Sequence, residues 1–460
     1  MPLYLRKIIM WLFVLAFFII TPLVLLSTSG WNYNWKIGKI ESTGVIIIDI
    51  QNPRMCAVEV ENYEKTTLLP FTVYHLNQLK PGEYKVKIEK ETYLPWEKTI
   101  EVTGNSTAFV DKVVLFKNNQ STLLEMEKIQ QWFGGSDRYA IFHKENSGTK
   151  ELWLFDAYDE SQDLLYRQVI NPLSNATAEV EAGDWSAQSS YFLWKNNGKH
   201  QIFNINNLSE DPMDLDKLLL PETIKQYQWN SDNDNVLYVL NSVNQLWQIN
   251  INNRSTLKLA DLPTDTASAT VLNQNIYYLQ NNAENVTLYQ LIKDETTKLM
   301  DFNAGDYQLQ TLTAGIFRVK DLMAKKSYLF VANKDQLTFQ EINAIDLKLS
   351  PSKNKFTYSS NTFEIWTLEN FYSTEKKGDT YLLTRLSQTP ENLQWHNSNE
   401  YLYYTINNEL KIIELDGRGN QRNIYTWTLD GQIKGLISDK KHSILYLATE
   451  NGLHKLVIGD

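Results

Sequence analysis

Residues 391–415 read ENLQWHNSNEYLYYTINNELKIIEL. A segment ending at Trp395 is followed by a turn, a strand run from Glu400 to Ile406, a turn at Asn407 and Asn408, and a second run from Glu409 to Leu415. Looser copies occupy Tyr227 to Ile251, YQWNSDNDNVLYVLNSVNQLWQINI, and Gly183 to Ile205, GDWSAQSSYFLWKNNGKHQIFNI. Such copies recur at the period of roughly 40–45 residues that propeller blades show. A unit of three or four strands cannot bury both of its faces alone, so units of this kind stack around an axis.

Extended over the chain, the pattern gives units starting near Gln131, Asp184, Gln228, Thr270, Gln310, Asp346, Gln394 and Lys434. That is about eight blades, with seven as the alternative count. Second strands are expected at Tyr139–Phe142, Tyr191–Trp194, Val236–Val239, Ile276–Leu279, Ser327–Phe330, Lys355–Tyr358, Tyr401–Tyr404 and Ile444–Leu447. The last unit runs through Leu453–Ile458 and has no outer strand of its own, whereas Ser121–Ile129 belongs to no complete blade. This segment is expected to pair with Leu453–Ile458 and close the array, because an open ring leaves an unpaired edge. A helix is its rival, since Leu, Glu, Met and Lys are good helix formers. The corners Trp185-Ser186 and Leu349-Ser350-Pro351, each ahead of a second strand, resemble those of TolB-type, WD40-like propeller repeats. The resemblance covers roughly residues 122–460 and is one of pattern, because the Gly-His and Trp-Asp signatures are missing.

Ile8–Leu26, IIMWLFVLAFFIITPLVLL, is uncharged and apolar. As a helix it spans about 29 Å, close to the hydrocarbon thickness of a bilayer. A single retained transmembrane helix is preferred to a cleaved signal peptide, whose apolar core is shorter and ends in a small-residue site. Arg6 and Lys7 favour a cytoplasmic N-terminus, and Trp31, Tyr33 and Trp35 then read as interfacial aromatics.

Between anchor and array, Gly44–Ile50 (GVIIIDI) reads as a fully buried strand. Ala57–Val60, Lys85–Ile88 and Thr99–Val102 read as further strands. Pro81-Gly82 reads as the centre of a type II turn leading into a hairpin strand, with Gly82 at positive φ. Residues 43–116 resemble the PEGA domain on several pieces: Gly44–Ile48, Asn52-Pro53 with Ala57-Val58, Leu69-Pro70, Leu79–Val86, Tyr93–Trp96, Thr99–Val102 and Leu115. The eponymous Pro-Glu-Gly-Ala string is absent, and Asn62 stands where a turn glycine is usual. The resemblance implies a small β-sandwich of the bacterial or archaeal envelope that binds or organises surface polymers, and it brings no catalytic residues.

The whole chain is therefore expected to be all-β after its anchor. Residues 1–42 are a cytoplasmic stub, transmembrane helix and linker; 43–117 a PEGA-like β-sandwich; and 118–460 a β-propeller. Tyr 25, Trp 13 and Phe 18 supply strand formers. Gly 19 and Pro 12 are few, so Asn, Asp and Ser must make the turns. A formal charge of −10 argues against a nucleic-acid surface, which would be basic. Cys56 is the lone cysteine and cannot form an internal disulfide.

No residue is assigned a catalytic, cofactor-binding or metal-binding role, and no cofactor is expected. His75, His143, His200, His396, His442 and His454 form no H-E-x-x-H pair, and neither a G-x-S-x-G elbow nor a P-loop occurs. Ser231–Asn235 places oxygens at alternate positions but lacks the glycine and glutamate of a calcium loop, so it reads as a solvated turn. Lys376–Asp379 reads as an exposed loop, and Asn105-Ser106-Thr107 as a chance glycosylation string.

Two functions remain. The favoured one is a non-enzymatic scaffold of the bacterial cell envelope, single-pass in the cytoplasmic membrane with its bulk outside. It would recognise glycan, peptidoglycan or protein partners, and no nucleic acid. The alternative is a membrane-tethered hydrolase or lyase acting through the propeller channel, which a cluster of carboxylates and histidines of shifted pKa would favour.

Overall fold

In the computed structural model, the described residues are 3–28, 30–34, 38–61, 72–125, 128–134, 137–146, 149–169, 182–333, 336–371 and 378–459. Asn62, Leu69-Pro70, Trp35 and Lys376-Lys377, singled out above, lie outside them. Chain contacts define two compact units. One holds residues 1–120 with 412–425 and 457–460; the other holds 121–411 with 426–456.

The first unit begins with a helix, Leu3–Thr28, whose apolar stretch Arg6–Leu26 is long enough to cross a membrane and has no buried residue among those described. Pro22 lies inside it. Trp31 and Tyr33 follow on a two-stranded ribbon, Trp31–Asn34 with Lys39–Ser42.

Two three-stranded sheets then face each other across one core. The first has the order Val73–Leu79, Gly44–Asn52, Thr107–Val114; the second Ala57–Val60, Gly82–Glu89, Trp96–Val102. Ile46, Ile48 and Ile50 from one pack with Val86, Ile88, Trp96 and Ile100 from the other. The GVIIIDI run is not buried on both sides. Ile46, Ile48 and Ile50 are buried, whereas Val45, Ile47 and Asp49 are half-exposed, because the sheet has only one covered face.

The expected type II turn is also absent. Gly82 has φ 158° rather than the roughly +80° of that turn, and it opens the strand Gly82–Glu89. Val73–Leu79 and Gly82–Glu89 belong to different sheets, so Lys80-Pro81 carries the chain across the sandwich and not around a hairpin. Proline suits this crossing because it has no N–H to leave unpaired.

Among the described residues, the remaining strands form eight four-stranded antiparallel sheets. Their first strands are Ile129–Phe133, Ala182–Trp185, Ile224–Trp229, Thr266–Leu272, Tyr307–Thr313, Asp346–Leu349, Glu391–Trp395 and Ile433–Ser438. All eight expected unit starts fall on these strands. First strands approach one another between the third and fourth, fourth and fifth, sixth and seventh, and seventh and eighth sheets, and that of the eighth approaches that of the first. The array therefore closes as a β-propeller. In seven sheets all four strands follow in chain order, whereas the eighth takes its fourth strand from Thr122–Glu125, ahead of the first sheet. Of the expected closing segment Ser121–Ile129, Thr122–Glu125 is the closing strand, whereas Ile129 opens the first strand of the first sheet.

Where a blade is covered on both faces, its second strand can be buried without polar alternation. Val236–Asn241 and Tyr401–Ile406 are buried at every position. Apolar side chains fill the seams between neighbours: Phe133, Ile141 and Leu154 meet Trp185, Phe192 and Phe203 between the first two sheets. One strand differs from its expected place. Ser327–Phe330 lies in the third strand of the fifth sheet, Lys326–Asn333; the second is Ile316–Asp321. That second strand carries Arg318, Lys320 and Asp321, which interrupt the apolar run used to recognise such strands.

Candidate functional site: loop corners and inner strands

The loop joining first and second strands has one construction in five sheets. Its first residue is Ser186, Asn230, Ser350, His396 or Asp439. The backbone N–H of that residue donates to the carbonyl of the residue that opens or directly precedes the second strand: Tyr191, Val236, Lys355, Tyr401 or Ile444. Its side chain accepts returning backbone N–H groups. Ser186 Oγ accepts from Tyr191, Asn230 Oδ1 from Asp232 and Asn233, Ser350 Oγ from Lys355, His396 Nδ1 from Ser398, and Asp439 Oδ1 from Ser443 and Ile444. The fourth residue is left-handed in four of them: Ser189, Lys353, Asn399 and His442, at φ 64°, 59°, 64° and 55°. Two of these corners were legible as Trp-Ser and Leu-Ser-Pro. The others escaped because Asn, His and Asp replace the serine while performing the same capping task.

These corners are tied to one another. The Asp234 carboxylate, in the third loop, accepts from Gln188 N at 2.6 Å and Ser190 N at 2.9 Å in the second. Asn399 Oδ1 accepts from Ser352 N across the next such gap described, at 2.9 Å. Below them, the Trp185 indole donates to Phe133 O and the Trp395 indole to Lys348 O, both at 3.1 Å. Tyr139 stacks on Trp185 and Tyr191 on Trp229. The oxygen-rich string 231–235 is thus a set of Asx turns and a loop-to-loop strut. Asp234 is buried and committed to backbone donors.

The inner strands are lined with amides and hydroxyls. Gln226 Oε1 accepts from Ser268 Oγ and Ala269 N, and its Nε2 donates to Leu309 O. Thr270 Oγ1 donates to Gln228 Oε1 at 2.7 Å and lies 2.7 Å from Thr311 Oγ1. Lys434 Nζ donates to Ile129 O, from the eighth sheet to the first. Asp184 is an exposed acid on the first strand of the second sheet. It touches solvent yet has protein around it, and the resulting desolvation pushes its carboxyl up to about 6 against a hydrogen bond from Trp185 N.

Two histidines that are far apart in sequence meet beneath the last corners. The rings of His396 and His442 lie 5.3 Å apart, and His442 stacks on Tyr403 at 6.3 Å. Burial drives His396 down to about 3, and the His442 ring beside it acts in the same direction. Burial also lowers His442, against the attraction of Asp439 and Asp137. Of the others, His200 is buried with Nδ1 2.9 Å from Asp216 Oδ1, His143 and His454 are buried, and His75 stands on a strand of the small sandwich. No group of three or more His, Cys, Asp or Glu suited to a metal occurs among the described residues.

The first unit has a buried charge cluster of its own. Lys98 Nζ lies 2.8 Å from Glu414 Oε2 and 3.3 Å from Asp416 Oδ2, with its side chain wholly enclosed. The Trp96 indole donates to Glu414 Oε1 at 3.0 Å, and Asn423 Nδ2 to Glu414 Oε2 at 2.8 Å. Desolvation works against ionised Asp416, but hydrogen bonds from Arg418 and the charge of Lys98 bring its carboxyl down to about 2.

Residues 70–115 match the PEGA domain family. No curated protein matches the sequence. Among solved structures the chain is similar to WD40 β-propeller proteins. The C-terminal WD40 domain of Sif2 is 10% identical, with a TM-score of 0.48, over 74% of this chain and 99% of that one. The Cps50 (Swd1) β-propeller domain of Myceliophteria thermophila is 11% identical, with a TM-score of 0.43, over 74% and 99%. Saccharomyces cerevisiae Sqt1 is 9% identical, with a TM-score of 0.45, over 74% and 98%. The propeller assignment itself stands on the eight sheets and their closure.

Proposed function

We propose that this protein is a membrane-anchored binding scaffold of the bacterial cell envelope. The helix Leu3–Thr28 holds it in the cytoplasmic membrane, with residues 43–117 as a PEGA-like module and 118–460 as a propeller on the outer side. Its partners are glycan, peptidoglycan or protein, bound without turnover. The observation that carries this reading is the cross-tying of the loop corners by Asp234 and Asn399. Loops fixed to each other keep their surface before a partner arrives, which reduces the ordering cost of binding.

Membrane fractionation joined to a pull-down on purified sacculi tests it. The expected result is a membrane-bound protein that is retained on sacculi or captures a defined envelope protein. A soluble protein that retains neither overturns the proposal. Asp184, with its raised carboxyl, is the one observation that favours the hydrolase reading. Release of soluble fragments from sacculi by wild type and not by Asp184→Asn would establish that reading instead.

A further inference from the structure

Arg318 and Lys320 stand two residues apart on the second strand of the fifth sheet, so their side chains leave the same face. Ile316 on that face packs with Leu347 and Phe356 of the sixth sheet. The two cations therefore occupy the seam between those sheets, beside the first strands.

Arg318 is 8% exposed. Its Nε donates to Gln310 Oε1 at 2.8 Å, while its Nη1 is buried and has no hydrogen-bond partner. Burial lowers the basicity of both Arg318 and Lys320, and Arg318 lowers Lys320 further. Asp346 is the acid that faces them, but its carboxylate is engaged by Leu347 N and lies 3.9 Å from Lys348. Among the described residues neither Arg318 nor Lys320 makes an ion pair. Gln308 and Gln310, opposite them on the first strand, are exposed and leave the seam open to solvent.

A buried guanidinium with an unused donor is costly to keep. Arg and Lys converging beside two amides form the donor set that oxyanions require. With Asp346 balanced by Lys348, the seam retains two positive charges, which matches a phosphate monoester better than a single carboxylate. We propose that the seam between the fifth and sixth sheets is a binding site for a phosphate group, held by Arg318 and Lys320 with Gln308 and Gln310 as neutral donors. This deepens the binding reading of the propeller and does not depend on where in the cell the protein resides.

Thermal melting of the full chain in detergent, at constant ionic strength, tests the site with inorganic phosphate and with acetate as probes. Phosphate should raise Tm by about 3 °C at saturation, and Arg318→Met should abolish that rise. Without phosphate, Arg318→Met should melt at or above the wild-type temperature, because it removes an uncompensated buried charge; a merely structural arginine would lower it. Lys320→Met should weaken phosphate binding about tenfold, one lost charge-assisted contact being worth roughly that factor, and it serves if Arg318→Met does not fold. No rise with phosphate, an equal rise in Arg318→Met, or a rise with acetate alone overturns the proposal. A failed sacculus pull-down with an intact phosphate shift would remove the envelope reading and leave the site standing.

Discussion

Leu453, in the last sheet, stands opposite Glu125, a residue that precedes the first sheet by only a few positions. The pairing continues through His454 with Leu123 and Lys455 with Thr122. It joins strands more than three hundred residues apart, so the closure of eight sheets depends on one short segment. The Glu125 carboxylate also pairs with Lys144, whose side chain is 2% exposed and lies over the rings of Phe142 and Trp153. Deleting 122–125 should expose the edge of Gly452–Val457 and remove the carboxylate that pairs with Lys144. The whole propeller should lose about 3 kcal/mol or more. A deletion variant with unchanged Tm and only faster amide exchange near residue 129 would reduce the segment to a frayed end.

Gly452 marks how tightly the closing strand approaches. It sits at φ 141°, and a Cβ there would lie 1.9 Å from the Glu125 carbonyl oxygen. Gly452→Ala should therefore weaken closure by about 1–3 kcal/mol, measured by chemical denaturation. Equal stability of variant and wild type would mean that the strand can shift without cost.

Lys98 tests the buried cluster of the first unit. Removing one member of an enclosed ion pair leaves the other desolvated, at a cost of about 3–5 kcal/mol. Lys98→Met should lower stability by that order, and adding Glu414→Gln should recover part of the loss. A double variant as unstable as the sum of both single changes would show that the two charges are not coupled.

Much of this fold could be read from short runs. Tyr401–Tyr404 and Val236–Leu240 are apolar and aromatic throughout because both faces of a blade are covered, and that property locates second strands. It misplaced the fifth blade, where Arg318 and Lys320 break the run. Pro81-Gly82 misled for another reason. A Pro-Gly pair specifies a local change of direction, but whether the next strand pairs within the same sheet is decided by Ile46, Val86 and Trp96 filling one core. The meeting of His396 with His442 was invisible, because 46 positions separate them in sequence and only the ring brings their corners together.

The membrane assignment has its own test. A charge at the centre of a spanning helix costs about 2.5–3.5 kcal/mol on insertion scales, so Leu15→Arg should release the protein or mislocalise it. Mass spectrometry of the wild-type protein should find the N-terminal helix retained. A mature N-terminus near residue 28 would make the segment a signal peptide.

Acid stability follows from the histidine pair. In an unfolded chain a histidine binds its proton near 6.5, whereas His396 in the fold does so only near 3, because burial and the neighbouring His442 oppose the charge. Between those values the unfolded state carries more protons, so stability present above pH 6.5 is lost as pH falls toward 3. Each such group contributes a slope of about 1.4 kcal/mol per pH unit within that window. His442 acts in the same direction, although Asp439 and Asp137 face it and soften its shift. Wild-type Tm should therefore fall from pH 6.5 to 4.5, and His396→Asn should flatten the slope by about one proton. Asparagine keeps a side-chain acceptor for Ser398 N, so the corner is retained while the titration is removed. An unchanged slope in that variant would assign the acid sensitivity to carboxylates elsewhere in the chain.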